Sequence, residues 1–403
     1  MLRLAFRNIF RQRLRTGLTL AAIMFGVVGI ILSGGFVEDV FFQLRENTIH
    51  SQLGHIQVYK QGYYEVGGRQ PYHYLVDDPA AVSSKLAEIE GVSDVMKRLN
   101  FSGLLNNGRA DLPIIGQGVE VEKEARLGSA ITIIEGRQLA PEDDFGILVG
   151  QGVAQALRLE AGSLVTLLAN TADGALNSLE FQVIGVFRSF SKDFDDHAVR
   201  IPLMAAQDLL VTPGVHSFVI SLARSDDTDL LVGRIEDRLP ATEFEVFAWY
   251  ELADFYKQTV EMYERQFGVL QIIILVLVLL SVANSVGMAV YERTGEFGTL
   301  MALGQRRVRV FGLILVENTL LGILGACGGA MVGVVLAWAI SSVGIVMPPP
   351  PNSNSGYTAY IQVVPSVVLM AVVIGVLATF LASILPARRA ARIPVVEALR
   401  HNI

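Results

Sequence analysis

The sequence predicts a membrane protein: four transmembrane helices, with a large extracytoplasmic α+β domain of two subdomains inserted between the first and second. Three observations carry this. Hydrophobic residues make up 52% of the 403 and charged residues 18%, with a mean hydropathy of +0.46, a membrane-class balance. Four apolar runs free of Lys and Arg, 17–37, 267–290, 310–347 and 363–385, can each span a hydrocarbon core of about 30 Å, which takes about 20 helical residues. Finally, 38–266 holds 19 basic and 35 acidic residues, a net −16, while the rest holds 13 basic and 4 acidic, a net +9.

Along the chain, 1–16 reads as a cytoplasmic amphipathic helix. Arg3, Arg7, Arg11 and Arg15 recur every four residues opposite Leu2, Phe6, Ile9, Phe10 and Leu14, which suits a lipid interface. With Arg13 they also set the topology, because basic residues beside membrane ends stay inside. The run 17–37 follows like the core of a signal peptide, but its length and the lack of an A-x-A-like site favour a retained span.

The domain 38–266 alternates β-rich runs with helical patterns. Strands are expected at 55–59, 92–105, 112–118, 164–168, 179–187, 215–223 and 243–247, with a strand then a helix over 147–159. Helices are expected at 79–90, with Pro near its first turn and Gly91 past its end, and at 202–210 and 226–238. Asn106-Asn107-Gly108-Arg109 is a hairpin signal. A helix over 252–267 should run straight into the second span, 267–290.

The segment 291–309, YERTGEFGTLMALGQRRVR, then separates two long apolar runs. Its four arginines place it in the cytoplasm, and its charge and glycine punctuation read as a short helix along the membrane face. The third run, 310–347, is overlong and should contain an inner-face and an outer-face turn. Gly325, Gly329 and Gly333 give it a small-residue stripe suited to close helix approach, within the chain or between subunits, with internal packing the expectation. Glu317 is an intramembrane acid, either functional or paired with an arginine of the preceding loop. A short outer loop, 348–362, leads to the fourth span, and 386–403 is a cytoplasmic tail carrying Arg388, Arg389, Arg392 and Arg400.

Several chemistries are not supported. No Gly-Lys pair occurs, so no phosphate-cradling G-x-x-x-x-G-K-[ST] loop exists, and G-x-S-x-G, H-E-x-x-H and C-x-x-C are missing. The six histidines lack ligand spacing, and Cys327 is the one cysteine. Asp193, Asp195 and Asp196 before His197 read as a solvated loop rather than a cation site. No catalytic residue, metal site, cofactor or nucleic-acid partner is therefore expected in this chain, and any transport must draw its energy from a partner.

The segment ERTGEFGTLMALGQRR resembles the coupling-helix motif of the FtsX-like ABC permeases, and PARRAARIPVVEALR looks like that family's closing motif. ILVGQGVAQALRLEAGSLVTLL is similar to the middle of the periplasmic domain in the MacB and lipoprotein-releasing (LolC/LolE) branch. The chain departs from the family at Gln305 and at Ile393-Pro394-Val395, and its loop 169–178, where the lipoprotein-releasing members dock a carrier, is short. The resemblance implies an inner-membrane mechanotransmission permease with both termini cytoplasmic. Two protomers, identical or homologous, would sit over a dimer of a separate ABC ATPase that holds the ATP and Mg. Glu292, Arg293, Glu296, Gly298, Leu300 and Gly304 would contact that ATPase. Met24, Phe25, Val28, Ile31 and Leu32 of the first span, with Leu270, Ile273, Ile274 and Leu277 of the second, would line a substrate cleft. Three functions fit: extraction of a lipoprotein or other amphiphile from the outer leaflet, MacB-like efflux with an adaptor, or FtsX-like signalling to an envelope enzyme. A periplasmic carrier or adaptor accompanies the first two.

Overall fold

The computed structural model describes residues 13–127, 131–349, 356–395 and 398. The amphipathic helix expected over 1–16 lies almost wholly outside them, as do Arg400 and much of the loop 348–362. The chain divides into two compact units: 1–42, 259–346 and 358–403 form one, and 43–258 with 347–357 the other.

The first unit is helical. α1 (Arg13–Thr48), α2 (Asp254–Glu292), α4 (Arg307–Val343) and α5 (Pro365–Ala390) are each long and apolar enough to cross a membrane, and α3 (Thr294–Ala302) joins α2 to α4. α2 takes in the helix expected at 252–267 from Asp254 on, while Leu252 ends a separate short turn, Trp249–Leu252. The inner-face turn expected inside 310–347 is absent, since one helix of 37 residues, about 55 Å long, begins at Arg307 and stops only at Gly344 (φ 75°).

Glycine decides how these helices meet. A Cβ on Gly325 would lie 2.9 Å from the Ile23 side chain, and one on Gly333 3.1 Å from Ile31. On Gly329 it would lie 2.9 Å from Val27 Cβ and 3.0 Å from Met24 Cα. The stripe of α4 therefore packs internally, against α1, at a separation only hydrogen-sized side chains permit. Gly375 brings α5 onto the same Val27, and Gly26 of α1 receives Val278 of α2, while Thr19 and Ser285 share a hydroxyl hydrogen bond nearby. Beyond this apolar core, Asp39 Oδ2 accepts from the Tyr360 N–H at 2.8 Å and Oδ1 from Gln362 Nε2 at 3.2 Å. This buried carboxylate clasps the segment leading into α5.

Among the described residues the second unit is built on a sheet of ten strands: β1 (Ile56–Lys60), β2 (Val92–Asn106), β3 (Asp111–Val119), β4 (Thr132–Gly136), β5 (Gly146–Gly150), β6 (Leu164–Asn170), β7 (Leu176–Arg188), β8 (Ala198–Pro202), β9 (Ser217–Leu222) and β10 (Phe244–Ala248). Their order is β10-β1-β9-β2-β3-β8-β5-β7-β4, with β6 paired to both β2 and β7. That extra pairing closes β2-β3-β8-β5-β7-β6 into a six-stranded ring. Leu99, Phe101, Leu105, Val149, Leu167, Phe181 and Ile201 fill the ring's core. A second core lies where β10, β1, β9 and the first half of β2 carry the helices Pro79–Ala87 and Thr228–Arg238. The 15-residue β2 belongs to both subdomains. At the β2–β3 turn, Asn107 Oδ1 accepts from the Arg109 and Ala110 N–H groups at 2.9 Å, and Gly108 takes φ 82°. That is the side-chain-braced turn its composition promises.

Two expectations change here. Strands β4 and β8 and the helix Val121–Leu127 were not foreseen, and the acidic run is solvated only in part: it forms the helical turn Lys192–Asp195, in which Asp193 is exposed. Asp195 is fully buried, its two carboxylate oxygens accepting from the Ser189 N–H at 2.9 and 3.1 Å.

Candidate functional site

The segment between α2 and α4 is a folded device. α3 ends in a Schellman arrangement: the Gly304 N–H donates to Met301 O at 3.1 Å and the Gln305 N–H to Leu300 O at 3.1 Å, with Gly304 at φ 89°. Only glycine adopts that conformation without strain. Gly304 has no atom of the chain within 4 Å of a Cβ position, so within the chain its part is to make the turn.

One face of α3 is committed inward. Thr294, Gly295, Phe297 and Gly298 are buried, and Leu300 and Met301 pack on the helical core. Arg293, at the head of α3, donates from Nη1 to Glu317 Oε1 of α4 at 2.8 Å and from Nε to Glu296 Oε2 at 3.2 Å. Its guanidinium also lies 5.2 Å from the centre of the Phe297 ring. Glu317 is thus the arginine-paired acid of the two alternatives. Of the six residues expected to meet an ATPase, Gly298 is buried, and Arg293 and Leu300 are half-buried against the rest of the bundle. Glu292 and Gly304 are exposed and Glu296 is half-buried. Leu303 (79% exposed) and Val308 (77%), with Arg306, Arg307 and Arg309, complete the outward face. The sequence signal for Leu303 and Val308 was an apolar residue on either side of a glycine-and-arginine turn.

The expected cleft residues also separate. Phe25 (82% exposed), Leu270, Ile273 and Leu277 point outward from α1 and α2. Val28 and Leu32 are half-buried. Ile31 is buried against Gly333, Met24 packs on Gly328 and Gly329, and Ile274 packs towards Gly29. These three make helix contacts within the bundle, because the glycines draw those side chains inward. Among the described residues no His, Cys, Asp and Glu group is placed to hold a metal.

Comparison with known proteins covers almost the whole chain. Residues 16–238 match the MacB-like periplasmic core domain and residues 268–395 the FtsX-like permease C-terminal domain. An uncharacterized ABC transporter permease of Methanocaldococcus jannaschii is 22% identical over 98% of this chain and 96% of its own length. The lipoprotein-releasing system transmembrane protein LolC of Neisseria meningitidis is 23% identical over 100% of this chain and 97% of its own. The macrolide export ATP-binding/permease protein MacB of Marinobacter nauticus is 26% identical over 85% of this chain but 54% of its own. Among solved structures, the periplasmic region of MacB from Actinobacillus actinomycetemcomitans aligns with a TM-score of 0.37 and 15% identity, over 51% of this chain and 92% of that one. With four apolar helices and a periplasmic-type domain between the first two, the chain belongs to the inner-membrane ABC transporter permeases that join a MacB-like periplasmic core domain to an FtsX-like permease domain.

Proposed function

We propose that this permease converts ATP hydrolysis in a separate ABC ATPase into movement of its outer domain, and that the movement extracts a lipoprotein or similar amphiphile from the outer leaflet. Both termini face the cytoplasm in this reading, as their arginines suggest. The chain itself hydrolyses nothing, and ATP and Mg belong to an ATPase dimer seated on Glu292, Leu303, Gly304 and the arginines that follow. A second permease copy, identical or homologous, completes the assembly, and a periplasmic carrier receives the cargo.

The observation that carries this reading is the bareness of α2. Of its apolar window 17% is buried, against 39% in each of the other three spans. Leu270, Ile273 and Leu277 with Phe25 present a wall without a placed polar group. Each CH₂ of an acyl chain buried there contributes about 0.8 kcal/mol, so a lipid needs no charged anchor, whereas a polar drug would. The full-length match to a lipoprotein-releasing protein supports the same choice.

The test is reconstitution of the permease with its ATPase in vesicles carrying an acylated protein. ATP-dependent release of that protein into solution is the expected result. Release of a macrolide but not of acylated protein would overturn the choice in favour of efflux.

A further inference from the structure

α1 does not simply stop. Past Thr48 it widens into a π-helical turn, Ile49–Leu53, closed by the Gly54 N–H donating to Ile49 O at 2.9 Å, with Gly54 at φ 65°. The last carbonyls of any helix lack partners within it. Here three consecutive ones are each taken by a side chain from a different strand. Arg200 Nη2 of β8 donates to Ser51 O at 3.1 Å, Arg98 Nη1 of β2 donates to Gln52 O, and Gln57 Nε2 of β1 donates to Leu53 O at 2.7 Å. Two of the donors are cations at the negative end of the helix dipole.

Both arginines are buried, at 3% exposure, and one carboxylate holds them. Glu124 receives Arg98 through Nε at 3.2 Å and through Nη2, and lies 3.4 Å from Arg200 Nη1. Arg200 Nε donates to Gln117 Oε1 at 3.2 Å, and its guanidinium lies 5.9 Å from the Phe187 ring and 5.7 Å from the Phe194 ring. Burial alone would raise the Glu124 carboxyl, but the two arginines override it and hold the group below the usual carboxylate range. Ile49 meanwhile packs with Leu53, Trp249, Ala253 and Tyr256, so the same turn also seats the first residues of α2.

Gly54 by itself caps this helix end at little cost, whereas buried charges are costly unless fully paired, so the three side-chain donors go beyond what capping needs. Three donors on three strands fix the turn in three directions, which a single cap cannot do. π-turns also recur at functional positions in helices. From this geometry we infer that the turn Ile49–Leu53, held by Arg98, Arg200 and Gln57, is the joint through which movement of α1 becomes movement of the outer sheet. The inference rests on the proposed ATP-driven motion of the outer domain.

The experiment uses the full chain with its ATPase in lipid nanodiscs. Arg200→Lys keeps a charge beside Glu124 but loses the fork that also reaches Ser51. Gln57→Met removes the third cap without touching the arginines. Each should speed amide exchange over 49–55 on the order of tenfold while 217–222 stays protected. ATP hydrolysis should continue while ATP-dependent release of acylated protein is lost. Unchanged exchange at 49–55, or faster exchange with full release, overturns the joint. Should Arg200→Lys also deprotect 217–222, the domain has unfolded and Gln57→Met decides on the same two readings. A wild-type complex without ATP-dependent release would count against the proposed function, leaving exchange at 49–55 to decide whether the three donors grip the turn.

Discussion

Arg293 at the head of α3 and Glu317 in α4 form an ion pair of 2.8 Å, with side-chain exposures of 15% and 11%. The pair fastens the short helix that would meet an ATPase directly to a membrane span. Removing Glu317 leaves Arg293 with the half-buried Glu296 and the Phe297 ring, so the cost is at most the roughly 3–5 kcal/mol of breaking a buried pair. Glu317→Ala should therefore lower stability and abolish ATP-driven activity while the chain still inserts. Arg293→Met with Glu317→Leu should recover thermal stability but not activity. Thermal unfolding in detergent together with reconstituted release checks both, and full activity of the double variant would show the pair to be dispensable.

The glycine stripe gives a prediction with an internal control. Gly329→Val would drive a side chain into Met24 backbone atoms and Val27, where separations of 2.9–3.0 Å leave nothing to yield. It should destabilise α1–α4 packing by roughly 1–3 kcal/mol, the usual cost of overpacking, or prevent assembly. Gly312, with nothing within 4 Å, should accept Ala without loss. The yield of monodisperse protein and its melting temperature report the difference.

The outward face of α3 and the turn after it should answer to charge. Leu303→Asp and Val308→Asp place carboxylates on exposed apolar positions and should leave folding intact while weakening co-purification of the ATPase. Gly304→Val forces a β-branched residue into φ 89°, a strain of about 1–3 kcal/mol, and should do the same by unwinding the helix end. An ATPase retained by all three variants would move the contact elsewhere.

Acid should loosen the outer domain. Burial lowers His55 to about 4 and His216 to about 4, against about 6.5 in an unfolded chain. Unfolding therefore takes up protons between those values. The stability held above pH about 6.5 is lost progressively as pH falls towards 4, by on the order of 2–3 kcal/mol per histidine at most. His216 accepts from the Asn100 N–H at 3.2 Å, which protonation of Nδ1 would break. Melting curves from pH 7.5 to 4 should show the fall, and His216→Asn should reduce it to roughly half, the part left to His55. A wild-type curve that stays level across that range contradicts the assignment.

Much of this architecture was readable in the residues, because the governing forces are local or periodic. Apolar run length marked all four spans, and Asn-Asn-Gly marked the β2–β3 turn. Gly325, Gly329 and Gly333 announced a close helix contact, although not that Ile23, Met24, Val27 and Ile31 would fill it. What stayed hidden depends on long-range partners. β8 carries Arg200 at its centre and reads as polar, since nothing nearby in sequence reveals that Glu124 will neutralise it. Asp195 looked solvated because its partner is a backbone N–H, that of Ser189, which leaves no mark in residue type. At the candidate site, residue type pointed to 292–304, but only the fold divides inward Arg293, Gly298 and Leu300 from outward Leu303 and Val308.

The central claim, a lipid-open wall on α1 and α2 that holds an amphiphile, meets its most direct test in site-specific photo-crosslinking. A crosslinker at Phe25 or Leu277, both outward, should capture acylated protein or lipid in the resting complex and lose it on ATP addition. The same crosslinker at Ile31, packed on Gly333, should capture α4. Capture of a soluble drug or of nothing but α2 at Phe25, unchanged by ATP, would contradict the account.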